Sequence, residues 1–165
     1  RAKAEAASCV TPASQTLTAR AAPAPTPQSP VVREVTKETF VILADTLFKF
    51  DKSDRGDMLP GGVERLTAIA TRLKSYASIA SVSIAGHTDR LGTDAYNDAL
   101  SAKRAATVLA HLESLGVKAA KSEALGKGER EPVTTSCSAQ LPRAQAILCL
   151  QPDRRVTIEV TGVVK

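Results

Sequence analysis

The chain has 165 residues, a formal net charge of +5 and 43% hydrophobic residues, values typical of one globular domain with room for a tail. Aromatic residues make up only 3% of the sequence, too few for a nucleic-acid-binding surface that depends on base stacking. The 22 basic residues are interleaved with 17 acidic ones, which indicates a mixed, solvated surface. We therefore expect no nucleic-acid partner. No apolar run reaches the roughly 20 residues of a membrane-spanning helix, and no signal peptide opens the chain, so an exported protein would be represented here by a processed or truncated piece.

Residues 1–36 differ in composition from the rest of the chain. Five of the nine prolines lie there among Ala, Ser and Thr, namely Pro12, Pro23, Pro25, Pro27 and Pro30. Proline fixes φ and removes a backbone donor, which favours an extended polyproline conformation over a helix or a central strand. We expect 1–36 to be a disordered Ala/Pro-rich tether and 37–165 to be a folded domain. A tether also implies a partner or anchor upstream of Arg1.

Hydrophobic periodicity becomes readable from residue 37. Alternating or β-branched segments predict strands, and apolar residues spaced three to four apart predict helices. The predicted strands are 39–48, 80–85, 120–126 and 154–162, and the predicted helices are 60–76 and 94–114, with a helical insertion at about 139–150. The order β-α-β-α-β-β indicates an α+β fold, a two-layer sandwich with two main helices packed on one face of a mixed sheet.

Three cysteines are present, and two of them bracket the predicted insertion. Cys137 and Cys149 lack the spacing of a zinc site, so we interpret them as a local disulfide that would contribute roughly 3 kcal/mol. The alternative is two reduced thiols. Cys9 lies in the tether, where it either pairs with a cysteine upstream or stays free.

Polar residues concentrate between 86 and 105, at a strand end, a loop and a helix start. Asp89 follows the strand, and one face of the helix carries Asn97, Leu100, Ser101 and Arg104. A carboxylate and a guanidinium held apart in this way suit a zwitterionic amino-acid head group, with its ammonium at Asp89 and its carboxylate at Arg104. The alternative is that these two side chains pair with each other or cap the helix. We interpret His87 as a structural histidine, because no second histidine lies near it.

Enzymatic motifs are absent from the sequence. It contains no G-x-S-x-G, no H-E-x-x-H and no G-x-x-x-x-G-K-[ST] pattern. Residues 126–128 are too short a glycine segment to cradle a phosphate. We therefore expect a binding domain that is not an enzyme and that requires no cofactor and no metal.

The string from Gly86 to Ala105 resembles the signature of the OmpA-like, peptidoglycan-associated domain family. Its matching positions are Gly86-His-Thr-Asp89, Gly92-Thr, Tyr96-Asn97, Leu100-Ser101 and Arg104-Ala105. Residues 47–52 resemble the first strand of that family, and residues 153–160 resemble its last strand. The cysteine pair and the Ala/Pro-rich spacer are similar to features of OmpA-type outer membrane proteins, in which the spacer joins a barrel to a periplasmic domain.

This resemblance implies a ligand and a set of ligand-binding residues. Members of the family bind the diaminopimelate of the peptide stem in peptidoglycan, without covalent bonds and without catalysis. By position, Asp89 would bind the ammonium and Arg104 the carboxylate of this ligand. Further members of the site would be Thr88, Asn97, Leu100, Asp51 and, in support, Arg155.

The resemblance also implies a location and partners. The domain would bind peptidoglycan in the periplasm and anchor the outer membrane to the cell wall through an upstream segment that is not present in this chain. A homodimer is a further expected partner arrangement. The alternative is a cell-wall-binding module of another envelope machine, such as a flagellar stator or a secretion-system lipoprotein. The segment upstream of the tether would discriminate between the two.

Overall fold

The computed structural model describes residues 23–24, 27 and 33–165. The predicted tether therefore lies almost wholly outside the described residues. Four strands alternate with helices along the chain, and two short 3₁₀ turns (Arg55–Asp57 and Gln151–Asp153) complete the order. The strands are β1 (Val35–Leu43), β2 (Tyr76–His87), β3 (Lys121–Gly126) and β4 (Arg155–Val164). The helices are α1 (Ala44–Leu47), α2 (Pro60–Lys74), α3 (Asp94–Ser114) and α4 (Arg143–Cys149).

The strands form one mixed sheet in the order β1-β4-β2-β3. β4 is antiparallel to both β1 and β2, and β3 is parallel to β2, to which α3 connects it. A parallel pair needs such a crossover, because its strands cannot be joined by a tight turn. Leu43 and His87 both lie opposite Arg155. The last residues of β1 and β2 therefore meet the first residue of β4 at the same end of the strands.

The core lies between the sheet and the two long helices, as the α+β prediction requires. Alternate residues of the strands point inward, and each helix contributes one apolar stripe. Fully buried members include Val82, Ile84, Val156, Ile158, Val160, Leu66, Leu73, Val108 and Leu112. Each such side chain contributes roughly 1.5–3 kcal/mol by leaving water. Among residues 33–165, none of the helices combines the length and the apolar stretch that crossing a membrane would require.

The first strand differs from the sequence prediction of 39–48. β1 begins at Val35, two residues before the predicted domain boundary, and ends at Leu43, after which α1 turns the chain. Leu47 and Phe48 are both buried. Successive side chains of a strand point to opposite faces, so a strand with one exposed face would bury only one of them. Instead α1 turns the chain, and Leu47 at its end and Phe48 directly after it are both buried.

The other predicted elements are also found, the helix 94–114 with the predicted bounds and the rest with shifted bounds. β2 runs from 76 to 87 rather than from 80 to 85. Two irregularities in its pairing with β4 interrupt the alternation of buried and exposed residues in its first half, so that half was not predicted. The predicted helix 60–76 ends at Lys74. The insertion predicted at about 139–150 contains the helix α4.

Candidate functional site

A cavity of about 150 Å³ opens at the sheet edge where β1 and β2 end and β4 begins. Of the ligand residues expected from the sequence, all but Arg155 line it: Asp51, Thr88, Asp89, Asn97, Leu100 and Arg104. Asp45, Phe50, Leu91, Gly92, Tyr96, Arg143, Ile147 and Arg154 complete the lining. The charged lining residues are three aspartates and three arginines, a balance that suits a zwitterionic ligand better than an ion of one sign.

Asp89 is held rigidly in the loop that follows β2. Its Oδ1 accepts a hydrogen bond from the backbone N–H of Leu91 at 3.0 Å, and its Oδ2 accepts one from Arg154 at 2.7 Å. The Asn97 side-chain amide donates to the carbonyls of Asp89 and Leu91, at 3.2 and 3.1 Å. Asn97 therefore fixes the loop that carries Asp89, although it also lines the cavity.

Arg104 reaches the cavity from α3 and is buried. Its Nε donates to the carbonyl of Lys52 at 2.9 Å, and its guanidinium carbon lies 5.6 Å from the centroid of the Phe48 ring. Within residues 33–165 it forms no ion pair, and its terminal nitrogens donate no hydrogen bond. Burial lowers the pKa of Arg104, while the charges of Asp45 and Asp51 act in the opposite direction. The side chain therefore remains a positioned cation able to bind an anion.

Asp89 and Arg104 do not form an ion pair with each other, although the alternative interpretation of the sequence expected one. The partner of Asp89 is Arg154, which also donates to both carboxylate oxygens of Asp45, at 3.3 and 2.9 Å. A further hydrogen bond of 2.9 Å joins Arg154 to the carbonyl of Ile147 in α4. Arg154 thus connects the loop after β2, the turn after β1 and the insertion.

Arg155, which the sequence predicted to support the pocket, lies outside the lining of the cavity. It donates instead to the carbonyls of Glu131 at 3.1 Å and Asp153 at 3.3 Å. Its neighbour Arg154 takes the position at the cavity. Adjacent residues entering a strand point in opposite directions, so an error of one residue exchanges the two sides.

The hydroxyl expected between Asp89 and Arg104 also has a different role. Ser101 is fully buried, accepts a hydrogen bond from the backbone N–H of Gly128 at 3.0 Å and donates one to the carbonyl of Asp98 at 3.0 Å. Ser101 therefore joins α3 to the turn after β3 and does not line the cavity.

Asp51 and Thr88 occupy the rim of the cavity in different environments. Asp51 is exposed and has a φ of 60°, a conformation that short polar residues tolerate better than most. Thr88 is buried, and its hydroxyl has no hydrogen-bond partner within the described residues.

The insertion forms one side of the cavity. Cys137 and Cys149 are joined by a disulfide with a Cα–Cα distance of 5.8 Å, which confirms the predicted pairing. Arg90, next to Asp89, donates to the carbonyls of Cys137 at 3.0 Å and Ser138 at 2.8 Å. The loop after β2 is therefore tied to the insertion directly.

His87 lies beneath the loop and does not line the cavity. It is buried, and its Nε2 lies 3.4 Å from the Thr157 hydroxyl. Burial, followed by the charge of Arg155, lowers the pKa of His87 to about 4. A neutral, buried imidazole fits the structural role expected from the sequence.

The chain is similar to known proteins in both sequence and fold. The model of the OmpA family matches residues 47–146. The chain belongs to the OmpA family. Outer membrane protein A of Salmonella typhi is 43% identical to this OmpA-family chain over 145 residues, which are 87% of this chain and 41% of that relative. The chain thus spans less than half of the length of this curated relative.

Two solved structures are similar in fold to this OmpA-family chain. The peptidoglycan-associated lipoprotein from Burkholderia pseudomallei is 30% identical, with a TM-score of 0.51 over 70% of this chain and 87% of that one. The cell wall anchor of the T6SS from Pseudomonas aeruginosa is 26% identical, with a TM-score of 0.58 over 78% of this chain and 82% of that one. These relatives are an outer membrane protein, a peptidoglycan-associated lipoprotein and a cell wall anchor, in agreement with the prediction that this OmpA-family domain is not an enzyme.

Proposed function

We propose that this domain binds peptidoglycan without covalent bonds, through the diaminopimelate of the peptide stem, and that it anchors the outer membrane to the cell wall from the periplasm. One observation carries the proposal. A single cavity combines the carboxylate of Asp89 with a buried Arg104 that has no ion-pair partner within residues 33–165. The free end of diaminopimelate has an ammonium and a carboxylate on one carbon, which is the complement of this pair.

Arg104 supplies the stronger half of the recognition. A guanidinium binds a carboxylate through two parallel hydrogen bonds, and this one is already oriented by Lys52 and Phe48. The side chain loses little further freedom on binding, because its Nε is fixed before the ligand arrives.

Asp89 supplies the other half. A carboxylate has about four acceptor positions, and the hydrogen bonds from Leu91 and Arg154 use one on each oxygen. The remaining positions accept the ammonium of the ligand. Thr88 also lines the cavity beside them.

The relatives support the anchoring role. They include an outer membrane protein and a lipoprotein described as peptidoglycan-associated. A second candidate is a cell-wall-binding module of another envelope machine, favoured by the likeness to a T6SS cell wall anchor. Membrane fractionation of the native protein tests the first candidate, because it requires the protein in the outer membrane fraction.

Retention on purified sacculi tests the ligand. Sacculi with diaminopimelate in the stem should retain the protein, whereas sacculi with lysine at that position should not, because lysine lacks the second carboxylate. Arg104→Ala should weaken binding by about tenfold to a hundredfold, the loss of one charge-assisted contact. Arg65→Ala, which removes an exposed arginine outside the cavity, is the matched control. Equal retention on both kinds of sacculi would contradict the proposal.

An amide NMR titration with meso-diaminopimelate places the ligand. Shifts should concentrate around Asp89, Asn97 and Arg104, and Nα-acetyl-lysine amide, which lacks the amino-acid head group, should not produce them at the same concentration. Shifts confined to other surfaces would mean that this cavity is not the binding site.

A further inference from the structure

Arg143 is a charged residue of the cavity that the recognition of diaminopimelate described above does not use. It is the first residue of α4, it is exposed, and it lines the cavity from the insertion. Within residues 33–165 its side chain forms no ion pair and no hydrogen bond to the protein. We propose that Arg143 determines ligand specificity by binding a second carboxylate of the ligand. This is the α-carboxylate of diaminopimelate, which is free when diaminopimelate is the last residue of the stem peptide. This inference rests on the proposed function.

The charges of the lining leave Arg143 without a protein partner. Arg154 is neutralised by Asp45 and Asp89. The charge of Asp51 acts on Arg104 and opposes the lowering of its pKa. Once the ligand head group lies on Asp89 and Arg104, Arg143 is the cation of the lining that no described carboxylate neutralises. A second carboxylate on the ligand would give Arg143 an ion-pair partner.

The backbone beneath Arg143 is fixed, so its side chain starts from a defined position. The disulfide holds the far end of α4 at Cys149, and Ala146 is buried. Arg154 donates to the carbonyl of Ile147 at 2.9 Å. Arg143 and Ile147 are four residues apart and thus share a helix face, and both line the cavity. That face offers the ligand an apolar contact beside a guanidinium.

Within diaminopimelate itself, the second carboxylate is its α-carboxylate. When diaminopimelate is the last residue of the stem, its α-carboxylate is free and lies on the same residue as the zwitterionic head group. When the stem continues, that carboxyl group becomes a neutral amide. Because a guanidinium fork binds a carboxylate far better than an amide oxygen, Arg143 makes the site prefer stems that end at diaminopimelate.

The test is a two-by-two comparison of ligand and protein. The ligands are the tripeptide L-Ala–γ-D-Glu–meso-diaminopimelate and the same tripeptide with its α-carboxylate converted to an amide. The proteins are the full chain and its Arg143→Gln variant, with Arg65→Gln as the control for loss of one positive charge. All titrations are performed at one ionic strength, since screening changes the contribution of exposed charges.

The expected result is coupling between the two changes. For the unaltered chain, amidation should weaken binding by about threefold to tenfold, in the range of exposed and partly buried charge-assisted contacts. Arg143→Gln should weaken tripeptide binding by the same factor and leave binding of the amide unchanged. Arg65→Gln should bind both ligands as the unaltered chain does. The thermal midpoint of Arg143→Gln should be unchanged, because the side chain is exposed.

The opposite results separate the two proposals. If the unaltered chain binds both ligands equally, or if Arg143→Gln weakens both by the same factor, the role of Arg143 is refuted while the proposed function stands. If the unaltered chain binds neither ligand, the proposed function fails and this inference fails with it.

Discussion

Arg154 bridges two carboxylates that are distant in the chain, Asp45 and Asp89. Removing it would leave both acids near the cavity without their cation. We expect Arg154→Gln to lower the free energy of unfolding by about 2–3 kcal/mol, because partly buried charges lose their partner. Arg130→Gln, which breaks an exposed ion pair with Asp98, should cost no more than about 1 kcal/mol. Urea denaturation at neutral pH measures both, and equal losses would mean that the bridge has no special role.

His87 gives stability a dependence on pH. In the unfolded chain a histidine has a pKa of about 6.5, and in the folded protein burial lowers the pKa of His87 to about 4. Between these values the unfolded state binds more protons, so stability is present above about pH 6.5 and is lost as the pH falls toward 4. From pH 7.5 to pH 5 this amounts to about 2 kcal/mol.

The variant His87→Gln isolates that contribution. Its free energy of unfolding should fall by about 2 kcal/mol less than that of the unaltered chain between pH 7.5 and pH 5, because a neutral amide does not titrate. Denaturant titrations at the two pH values provide the comparison, in which other titrating groups cancel. An equal fall in both proteins would mean that His87 titrates normally in the folded state.

The residues of the site were predictable where one local element carries them. Asn97 and Arg104 share one face of α3, and Asp89 lies in the loop before it. Spacing along the chain therefore suggested that they lie near each other, and the family resemblance selected them as ligand residues. Asp45 and Arg154 are 109 positions apart, and no local pattern joins them. The nearest signal was the Arg154-Arg155 pair, but the choice between its members depends on which way β4 enters the sheet.

At the scale of elements, Gly86 allows β2 and α3 to approach closely. A Cβ at this position would overlap the backbone carbonyl of Ser101. We expect Gly86→Ala to cost roughly 1–3 kcal/mol, because backbone cannot move aside as a flexible side chain does. It should also weaken ligand binding, since α3 carries Arg104.

Gly56→Ala is the matched control for this contact. No atom lies within 4 Å of a Cβ at Gly56. Thermal unfolding should therefore place this variant within about 0.5 kcal/mol of the unaltered chain. If Gly86→Ala were equally stable, the approach of β2 and α3 would be looser than described.

The insertion depends on its disulfide. We expect the double variant Cys137→Ser/Cys149→Ser to lose roughly 3 kcal/mol, the chain-entropy contribution of a short loop. It should also bind diaminopimelate-containing sacculi less well, because α4 carries lining residues and contacts Arg154. Unfolding and sacculus retention measure the two effects, and unchanged retention would show that α4 keeps its place without the covalent link.

Element types were more predictable than their bounds. The apolar stripe of α2 and the alternation in β4 reflect one buried face, which sequence reveals directly. The helical turn Ala44–Leu47 was not predicted, because the residues around it favour strands. Only the burial of both Leu47 and Phe48 in the structure requires it. The disulfide was predictable because both cysteines border one insertion.

At the scale of the molecule, the described core lies wholly within the folded unit. Its members all fall between Phe40 and Val164. We therefore expect a chain that begins at residue 33 to unfold in one cooperative transition, with the midpoint of the full chain. Calorimetry of both forms provides the test, and a lower midpoint for the shorter form would assign a stabilising role to residues 1–32.

The order of the strands in the sheet could not be predicted from hydrophobic periodicity. Alternation indicates that β1 and β4 are strands, but it does not say that they are neighbours or that β4 lies between β1 and β2. That order depends on pairing between the two ends of the folded unit, where Val35 lies opposite Val163.

The same pairing has a mechanical consequence. Val35, where the chain enters the sheet, lies at the end of β1 opposite the cavity, which opens beyond Leu43. Tension between residue 33 and a molecule held in the cavity therefore runs along the strands, at right angles to the hydrogen bonds that join β1 to β4. Under such a shearing load all nine residues of β1 share the force at once, whereas a pull across the sheet would open the pairs one after another.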